Sequence, residues 1–550
     1  MAKTLLIVLF IAVVAYASDW PCFRGNLERT GYSTEKVGIP GDKPVWVYSL
    51  GNTTVSSPSV ADNLLIIGAR DSSVYALETG DGTLRWKRKT QGWVDCSPTV
   101  SQKKAIIGSR DGRIYVFDLA TGDSLSTLNA GLQLSSPAVL DDSMVLASLG
   151  PPFNGFGVYD LSNPATKWFL PFRQISYSSP AISSGMSVVA DNSGLLYGVS
   201  LSGKRIAWTL QTNGGAYLSS PAIDNGTAFF APGNYDMNIY RVVAGTGQLH
   251  WKSYGIPVAK RRADTIGSSG LIAPKQFIEL LRLSPVHRQA AIDRLAKRGI
   301  SVPKVFTRQL GKSTDSKADS ISVWDFYPYG DMKTSSVAVG PNLVYVIQKE
   351  LGYPKPRFTI FALDKETGNE NWYYAELRNS EKLGYCSSPV VADNKVFFGW
   401  GEGMAYCLDA KTGAKLWSDT LDGDIISSPA IANGRLYMAT MNGSLYAFDL
   451  TGTPQPLNFQ DGTYGYPNPA SRVSKIQYFI QKPGDIEVLI YDTAERMVKV
   501  FRRSGVQGNT KAAFTWDISN AANGVYFAKV IVRYRDGGSE SKILKIAVIK

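Results

Sequence analysis

The sequence predicts an all-β chain: an eight-bladed β-propeller with a helical insertion, followed by a C-terminal β-sandwich. Three observations predict it. One phrase occurs eight times, as VSSPSV (Pro58), DCSPTV (Pro98), LSSPAV (Pro137), YSSPAI (Pro180), LSSPAI (Pro221), TSSVAV (Val337), CSSPVV (Pro389) and ISSPAI (Pro429). Most copies lie 39 to 43 residues apart; the exceptions are 116 residues between Pro221 and Val337 and 52 between Val337 and Pro389. A period near 40 with several strands per unit is one propeller blade. A second phrase, of the type AYCLDAKTGAKLW, follows in most units and ends on a tryptophan. Finally, the 550 residues are 44% hydrophobic and rich in Gly (52), Tyr (28) and Trp (12), which favours many short strands joined by tight turns.

Each unit reads in the same order. Ser-Ser-Pro opens the innermost strand, where proline as the first residue costs no central ladder bond. Alternating runs such as RLYMAT and SLYAFDL supply the middle strands, with Asp111-Gly112 and Asn442-Gly443 at turns that favour φ > 0. In A-x-D-x-x-T-G-x-x-x-W the Asp and Thr bond the turn backbone and the Gly supplies φ > 0. The tryptophan is then expected in the seam between blades, at Trp46, Trp86, Trp168, Trp208, Trp251, Trp372 and Trp417. Burying one is worth roughly 2 to 3 kcal/mol. The last unit has no tryptophan of its own, so KPVWVYSL near the N-terminus is expected to complete it and hide the ring's edges.

Residues 1–17 read as a signal peptide: Lys3, an apolar run, then Ala15-Tyr16-Ala17 as the cleavage site. The apolar run is shorter than the roughly 20 residues a spanning helix needs, and no transmembrane span is expected. Four scattered cysteines and two histidines, His250 and His287, argue against a zinc cluster or a His-based triad.

Within the propeller, residues 18–460, the stretch 256–320 breaks the repeat. It carries 13 Lys or Arg against 5 Asp or Glu, most of the formal +12. SPVHRQAAIDRLAKRG reads as a helix with Ser284 as N-cap, Pro285 at its first position and Gly299 as its stop. One reading makes Lys260, Arg261, Arg262, Arg288, Arg294, Lys297 and Arg298 a patch for an anionic partner; the other makes the insert a solvated appendage.

The phrases SSPAI and LDAKTGAKLW, with DWPCFRGNLERTGYS near the N-terminus, resemble the PQQ-like eight-bladed propellers. That family includes quinoprotein alcohol dehydrogenases and the periplasmic assembly factor of the outer-membrane Bam complex. The resemblance implies the fold and says little about activity. Its quinoproteins use a calcium-bound quinone on the ring axis, a catalytic aspartate and, commonly, adjacent cysteines. This chain has no adjacent cysteines, and none of its residues matches that calcium set, so no catalytic or metal residue is assigned.

Residues 461–550 change in character after a turn-rich linker. YPNPASRVSKIQYFI, IEVLIYDTAERMVKVF, FTWDISNAANGVYFAKV and SKILKIAVIK resemble the FlgD-like or type IX secretion sorting domain of immunoglobulin type. The matching positions are Tyr466, Pro467, Asn468, Pro469, Tyr491, Asp492, Trp516, Asp517, Gly524, Val525, Tyr526 and Phe527, whereas Ala470, Ser471 and Arg472 replace the usual aromatic stretch. The resemblance implies delivery to the outside or anchoring at the cell surface.

Residues just before each Ser-Ser-Pro should ring the channel mouth: Trp93, Asp95, Tyr177, Tyr217, Asp331, Tyr385 and Asp424. Aromatics interleaved with carboxylates suit a sugar, a peptide or a cation, and equally suit the filling of a funnel. The expectation is therefore a secreted, non-catalytic binding or scaffold protein of the periplasm, outer membrane surface or exterior, monomeric and without cofactor. Its partner would be an envelope protein or polymer, not nucleic acid, with export machinery meeting the C-terminal domain. The alternative is a PQQ- and calcium-dependent quinoprotein oxidoreductase.

Overall fold

The computed structural model describes residues 19–133, 135–163, 167–216, 219–233, 238–254, 335–350, 357–377, 386–452, 459–460, 463–466, 470 and 473–549. The first unit shows why these residues form a blade. Strands Ser59–Ala61, Leu64–Ala69, Ser73–Glu78 and Leu84–Lys89 pair in sequence order, all antiparallel. Leu64–Ala69 is buried at every position, because neighbouring sheets cover both of its faces, and so it reads as the continuous apolar run LLIIGA. The outer strand Leu84–Lys89 buries little besides Trp86.

The pattern repeats in residues 99–129 (sheet 2), 138–171 (sheet 3), 181–211 (sheet 4), 222–254 (sheet 5), 338–377 (sheet 6) and 390–420 (sheet 7). Sheet 8, residues 430–449, takes its fourth strand from far away: Trp46–Ser49 pairs antiparallel with Ser444–Asp449, Trp46 opposite Ala447. The ring is thus closed by the beginning of the chain lying beside the end of the last repeat. These sheets form a β-propeller.

One serine per repeat links the innermost strands. The backbone N–H of Ser57 donates to Ser97 Oγ (2.9 Å), Ser97 to Ser136 (2.9 Å), Ser136 to Ser179 (2.9 Å) and Ser179 to Ser220 (2.8 Å). Ser220 donates to Ser336 (2.9 Å), Ser336 to Ser388 (3.0 Å), Ser388 to Ser428 (3.3 Å), and Ser428 back to Ser57 (2.9 Å). The circuit closes on itself. It explains why TSSVAV gives up the proline but keeps the serine: the Ser336 side chain carries the link, whereas no side chain in particular is needed at Val337. In the other units the proline stands just outside the ladder, one residue earlier than the sequence suggested, where its missing N–H costs nothing.

The tryptophans bind the ring at larger radius. The Nε1–H of Trp46 donates to Thr79 O (3.0 Å), Trp86 to Leu119 O (2.8 Å), Trp208 to Ala244 O (2.9 Å), Trp251 to Lys365 O (3.3 Å) and Trp372 to Ala410 O (3.0 Å). Each acceptor belongs to the Thr-Gly turn of the next sheet. The turn glycines Gly82, Gly122, Gly247, Gly368 and Gly413 have φ between +72° and +76°, and a Cβ on any of them would fall 2.6–2.8 Å from that indole. Glycine is needed twice over, for the turn and for the tryptophan of the preceding unit.

Two seams differ. Trp168 packs on Phe156 of its own sheet (ring centroids 5.9 Å apart), as Trp46, Trp251 and Trp372 pack on Tyr437, Phe229 and Tyr345, but the turn glycine of the next sheet, Gly203, has Ser200 and Arg205 nearest to it rather than the indole. Trp417 is buried, and its Nε1–H has no partner among the described residues; the turn that follows, Asp449-Leu450-Thr451-Gly452, is one residue shorter than Asp409-Ala410-Lys411-Thr412-Gly413.

Residues 463–549 form a second unit. A three-stranded sheet (Tyr464–Tyr466, Val473–Ile480, Thr510–Asp517) faces a four-stranded one (Met497–Val506, Gly484–Asp492, Gly524–Tyr534, Ser539–Val548). Ile476, Tyr478, Phe514 and Trp516 of the first share a core with Ile486, Val488, Ile490, Val530 and Ile546 of the second. The unit meets the propeller through two lysines: Lys475 Nζ donates to Leu421 O, and Lys511 pairs with Asp419 (3.1 Å) and donates to Asp42 O (2.6 Å).

The signal peptide and the basic insertion, with Lys260, Arg261, Arg262, Arg288, Arg294, Lys297 and Arg298, lie outside the described residues. Among those described, no helix is long and apolar enough to cross a membrane. Among the described residues none of the four cysteines forms a disulfide, and Cys22, Cys96 and Cys407 are buried.

Candidate functional site

The innermost strands turn one edge toward the ring axis, and an edge needs partners for its N–H groups. The chain provides them itself. Trp20 and Val60 exchange two 2.8 Å bonds, Val100 N–H donates to Pro21 O (2.7 Å), and Ile182, Ile223, Val339 and Val391 donate to Leu27, Glu28, Thr30 and Gly31 (each 2.8 Å). Residues 20–32 thus form a strap that touches six sheets in turn.

Two fully buried arginines fasten it. Arg24 donates from Nη1 to Pro389 O (2.7 Å) and from Nη2 to Val337 O (2.7 Å); Arg29 donates from Nη2 to Pro137 O (2.9 Å) and from Nε to Pro180 O (3.1 Å). Four of these acceptors are the carbonyls at the proline position of the repeat. Gly31 is dictated by this packing, since with φ +63° a Cβ there would sit 2.2 Å from Arg24 Nη2. Burial, and then the charge of Arg29, push Arg24 down to about 9, which still leaves it protonated at neutral pH. Neither arginine has an ion-pair partner among the described residues. Cys22, on the same strap, is raised chiefly by its burial and is therefore a thiol rather than a reactive thiolate.

The loops before the serines lie at the opposite end of the same innermost strands. In sheet 2, Trp93 and Asp95 precede Ser97, whereas the strap bonds Val100 on the far side of Pro98. The strap is a floor and these loops are a mouth.

At the mouth, Trp93 and Asp95 come together with two residues that sequence reasoning missed. Arg70 reaches Asp95 through Nε (2.8 Å) and Nη2 (3.2 Å), and Arg110 through Nη2 (2.6 Å). Both guanidinium carbons lie over the Trp93 ring, 5.1 and 5.3 Å from its centroid, and the indole is 46% exposed. A signal was present: GARD and GSRD place Arg70 and Arg110 at the same hairpin of consecutive repeats.

Of the other predicted rim residues, the described ones, Asp424 and Tyr177, stand apart from this cluster. Asp424 Oδ1 accepts from the backbone of Glu402 (2.7 Å) and so holds a loop. Tyr177 is half-buried before sheet 4. Tyr217, Asp331 and Tyr385 lie outside the described residues. Among the described residues, no three His, Cys, Asp or Glu side chains gather as a metal site would require.

The sequence profile of the family described as outer membrane protein assembly factor BamB matches residues 36–147 and 356–505. The BamB protein of Shewanella oneidensis is 27% identical over 97 residues, which is 16% of this chain and 25% of that protein. The chain thus spans about a quarter of the length of that curated relative. Among solved structures, the quinohemoprotein alcohol dehydrogenase of Pseudomonas putida superposes with a TM-score of 0.56 at 15% identity, covering 82% of this chain and 83% of that one. The Comamonas testosteroni quinohemoprotein alcohol dehydrogenase gives 0.56 at 16%, covering 81% and 83%. At such identities the likeness concerns the fold. The four-stranded sheets, their Ser-Ser-Pro and Thr-Gly/Trp repeats and these comparisons together support a PQQ-like β-propeller.

Proposed function

We propose that this is an exported, non-catalytic scaffold of the bacterial cell envelope or surface. Its eight ring sheets act as the eight blades of one propeller, whose mouth face binds a protein or polymer. The observation that carries this reading is the strap, which fills one end of the axis with the chain's own Arg24 and Arg29. The signal-peptide reading and the partial match to an outer-membrane assembly factor favour the envelope. A C-terminal sandwich of FlgD-like or type IX sorting type would account for delivery to, or retention at, the surface.

The second reading, a quinoprotein oxidoreductase using PQQ and calcium, is favoured by the dehydrogenases that share the fold. Neither the described residues nor the sequence offers a calcium donor set on the axis. Calorimetric titration of the chain from Ser18 with pyrroloquinoline quinone and calcium, followed by a dye-linked oxidation assay on alcohols and sugars, separates the two. The scaffold reading expects no binding and no turnover; binding with turnover overturns it.

A further inference from the structure

The Arg70–Trp93–Arg110 corner has a surplus of recognition chemistry that its structural duty does not consume. One carboxylate, Asp95, serves both guanidiniums. Arg70 Nη1 and Arg110 Nε and Nη1 are left without a hydrogen-bond partner among the described residues. Further cations stand around it: Lys87 and Lys89 share Asp71 (2.9 and 3.8 Å), and Arg113 donates to the neutral side chain of Gln91 (2.5 Å).

Two mouth loops away the charge reverses. Residues 419–424 bring Asp419, Asp422 and Asp424 together, and the chain answers them itself, with Lys511 on Asp419 (3.1 Å) and Lys475 on the neighbouring Leu421 carbonyl. The acidic side of the mouth is thus answered by lysines of the second unit, whereas on the cationic side single carboxylates serve two cations each: Asp95 for Arg70 and Arg110, and Asp71 for Lys87 and Lys89.

We propose that Arg70, Trp93 and Arg110 form a docking corner for an acidic peptide segment of a partner protein, one that places an apolar or aromatic side chain beside its carboxylates. The carboxylates take the free guanidinium N–H groups in charge-assisted, planar pairs. The apolar side chain covers the exposed indole, and an arginine–tryptophan cluster is the composition typical of protein-interface hot spots. This inference deepens the scaffold reading and rests on it.

The test is fluorescence anisotropy of a labelled eight-residue peptide alternating Glu and Phe against the full chain from Ser18, at low and high salt. Its Lys-Phe counterpart and polygalacturonate serve as comparison probes. The Glu-Phe peptide is expected to bind, to weaken about tenfold or more in Trp93→Ala and in the double variant R70Q/R110Q, and to weaken with salt. Trp93→Ala removes an exposed side chain and leaves the Asp95 bonds in place, so its loss of binding does not reflect misfolding. Absence of binding by the parent chain, equal binding by the variants, or binding of polygalacturonate alone overturns the proposal. Turnover with quinone would end the scaffold reading without altering the peptide titration, so the two failures remain distinguishable.

Discussion

The propeller and the second unit are both built from antiparallel sheets, yet they bury them in opposite ways. In the ring, Leu64–Ala69 is buried along its whole length. In the second unit, Gly524–Tyr534 alternates, turning Tyr526, Ala528, Val530 and Val532 inward while Phe527, Lys529 and Arg533 face outward. A sheet sandwiched between two neighbours needs apolar residues on both faces; a sheet covering one core needs them on one. The second unit can hold itself together with one shared core, whereas each ring sheet depends on its neighbours. The ring accordingly adds specific links: the serine circuit, the tryptophan on the next glycine and the arginine strap.

That contrast is broken most severely at the strap. Replacing Arg24 and Arg29 together with Ala orphans buried carbonyls at four sheets, and bonds to charged donors are worth about 1.5–3 kcal/mol each. We expect the ring to lose more than about 5 kcal/mol in urea titrations followed by tryptophan fluorescence. The transition of the second unit should keep its midpoint; a ring midpoint equal to that of the parent would make the strap decorative.

Trp86→Ala removes a buried aromatic and its bond to Leu119, and should cost the ring about 3–5 kcal/mol by the same measurement. The matching change at Trp417, whose indole N–H has no partner among the described residues, should cost less. Equal losses at the two positions would show that area alone, and not the bond, sets the strength of the seam.

Ser336→Ala leaves the Ser220 N–H unsatisfied and should cost about 1–2 kcal/mol, with Ser336→Thr recovering most of it. Amide exchange should show the Ser220 N–H losing protection in the alanine variant and keeping it in the threonine one.

The smallest effect concerns acid. Asp364, in the turn of sheet 6, accepts first from the backbone N–H of Thr367 and then from its hydroxyl, which holds its carboxyl below the usual carboxylate range. Asp118 is held down in the same way by Thr121. A depressed folded-state value contributes stability above the unfolded value of 3.8, and that contribution is lost as pH falls from there through the folded value. Asp364→Asn should flatten the acid limb of the ring's stability profile below about pH 4 and leave the neutral plateau nearly level. A steeper acid limb in the variant would contradict this.

Much of the fold was legible because propeller signals are local and repeated. Asp, Thr and Gly lie within five residues of one another, and the proline stands next to its strand. Only part of the mouth was legible. Trp93 and Asp95 could be placed from their position before Ser97, but Arg70 and Arg110 join them from hairpins 25 and 15 residues away along the chain. Their recurrence in GARD and GSRD was a faint clue, because a charged residue at a hairpin is ordinarily solvated.

By itself the sequence determined the all-β character, the repeat, the turn chemistry and the need for a strand such as KPVWVYSL to complete the last unit, since each of these rests on neighbouring residues or on a fixed period. Only the tertiary structure decided what the repeated residues do for one another. The serine before the strand donates to another serine 39 to 116 residues on, Trp86 rests on Gly122, and Arg24 crosses 365 residues of chain to reach Pro389. These are contacts between units, and closing the ring, which no single repeat encodes, is what brings them within bonding distance.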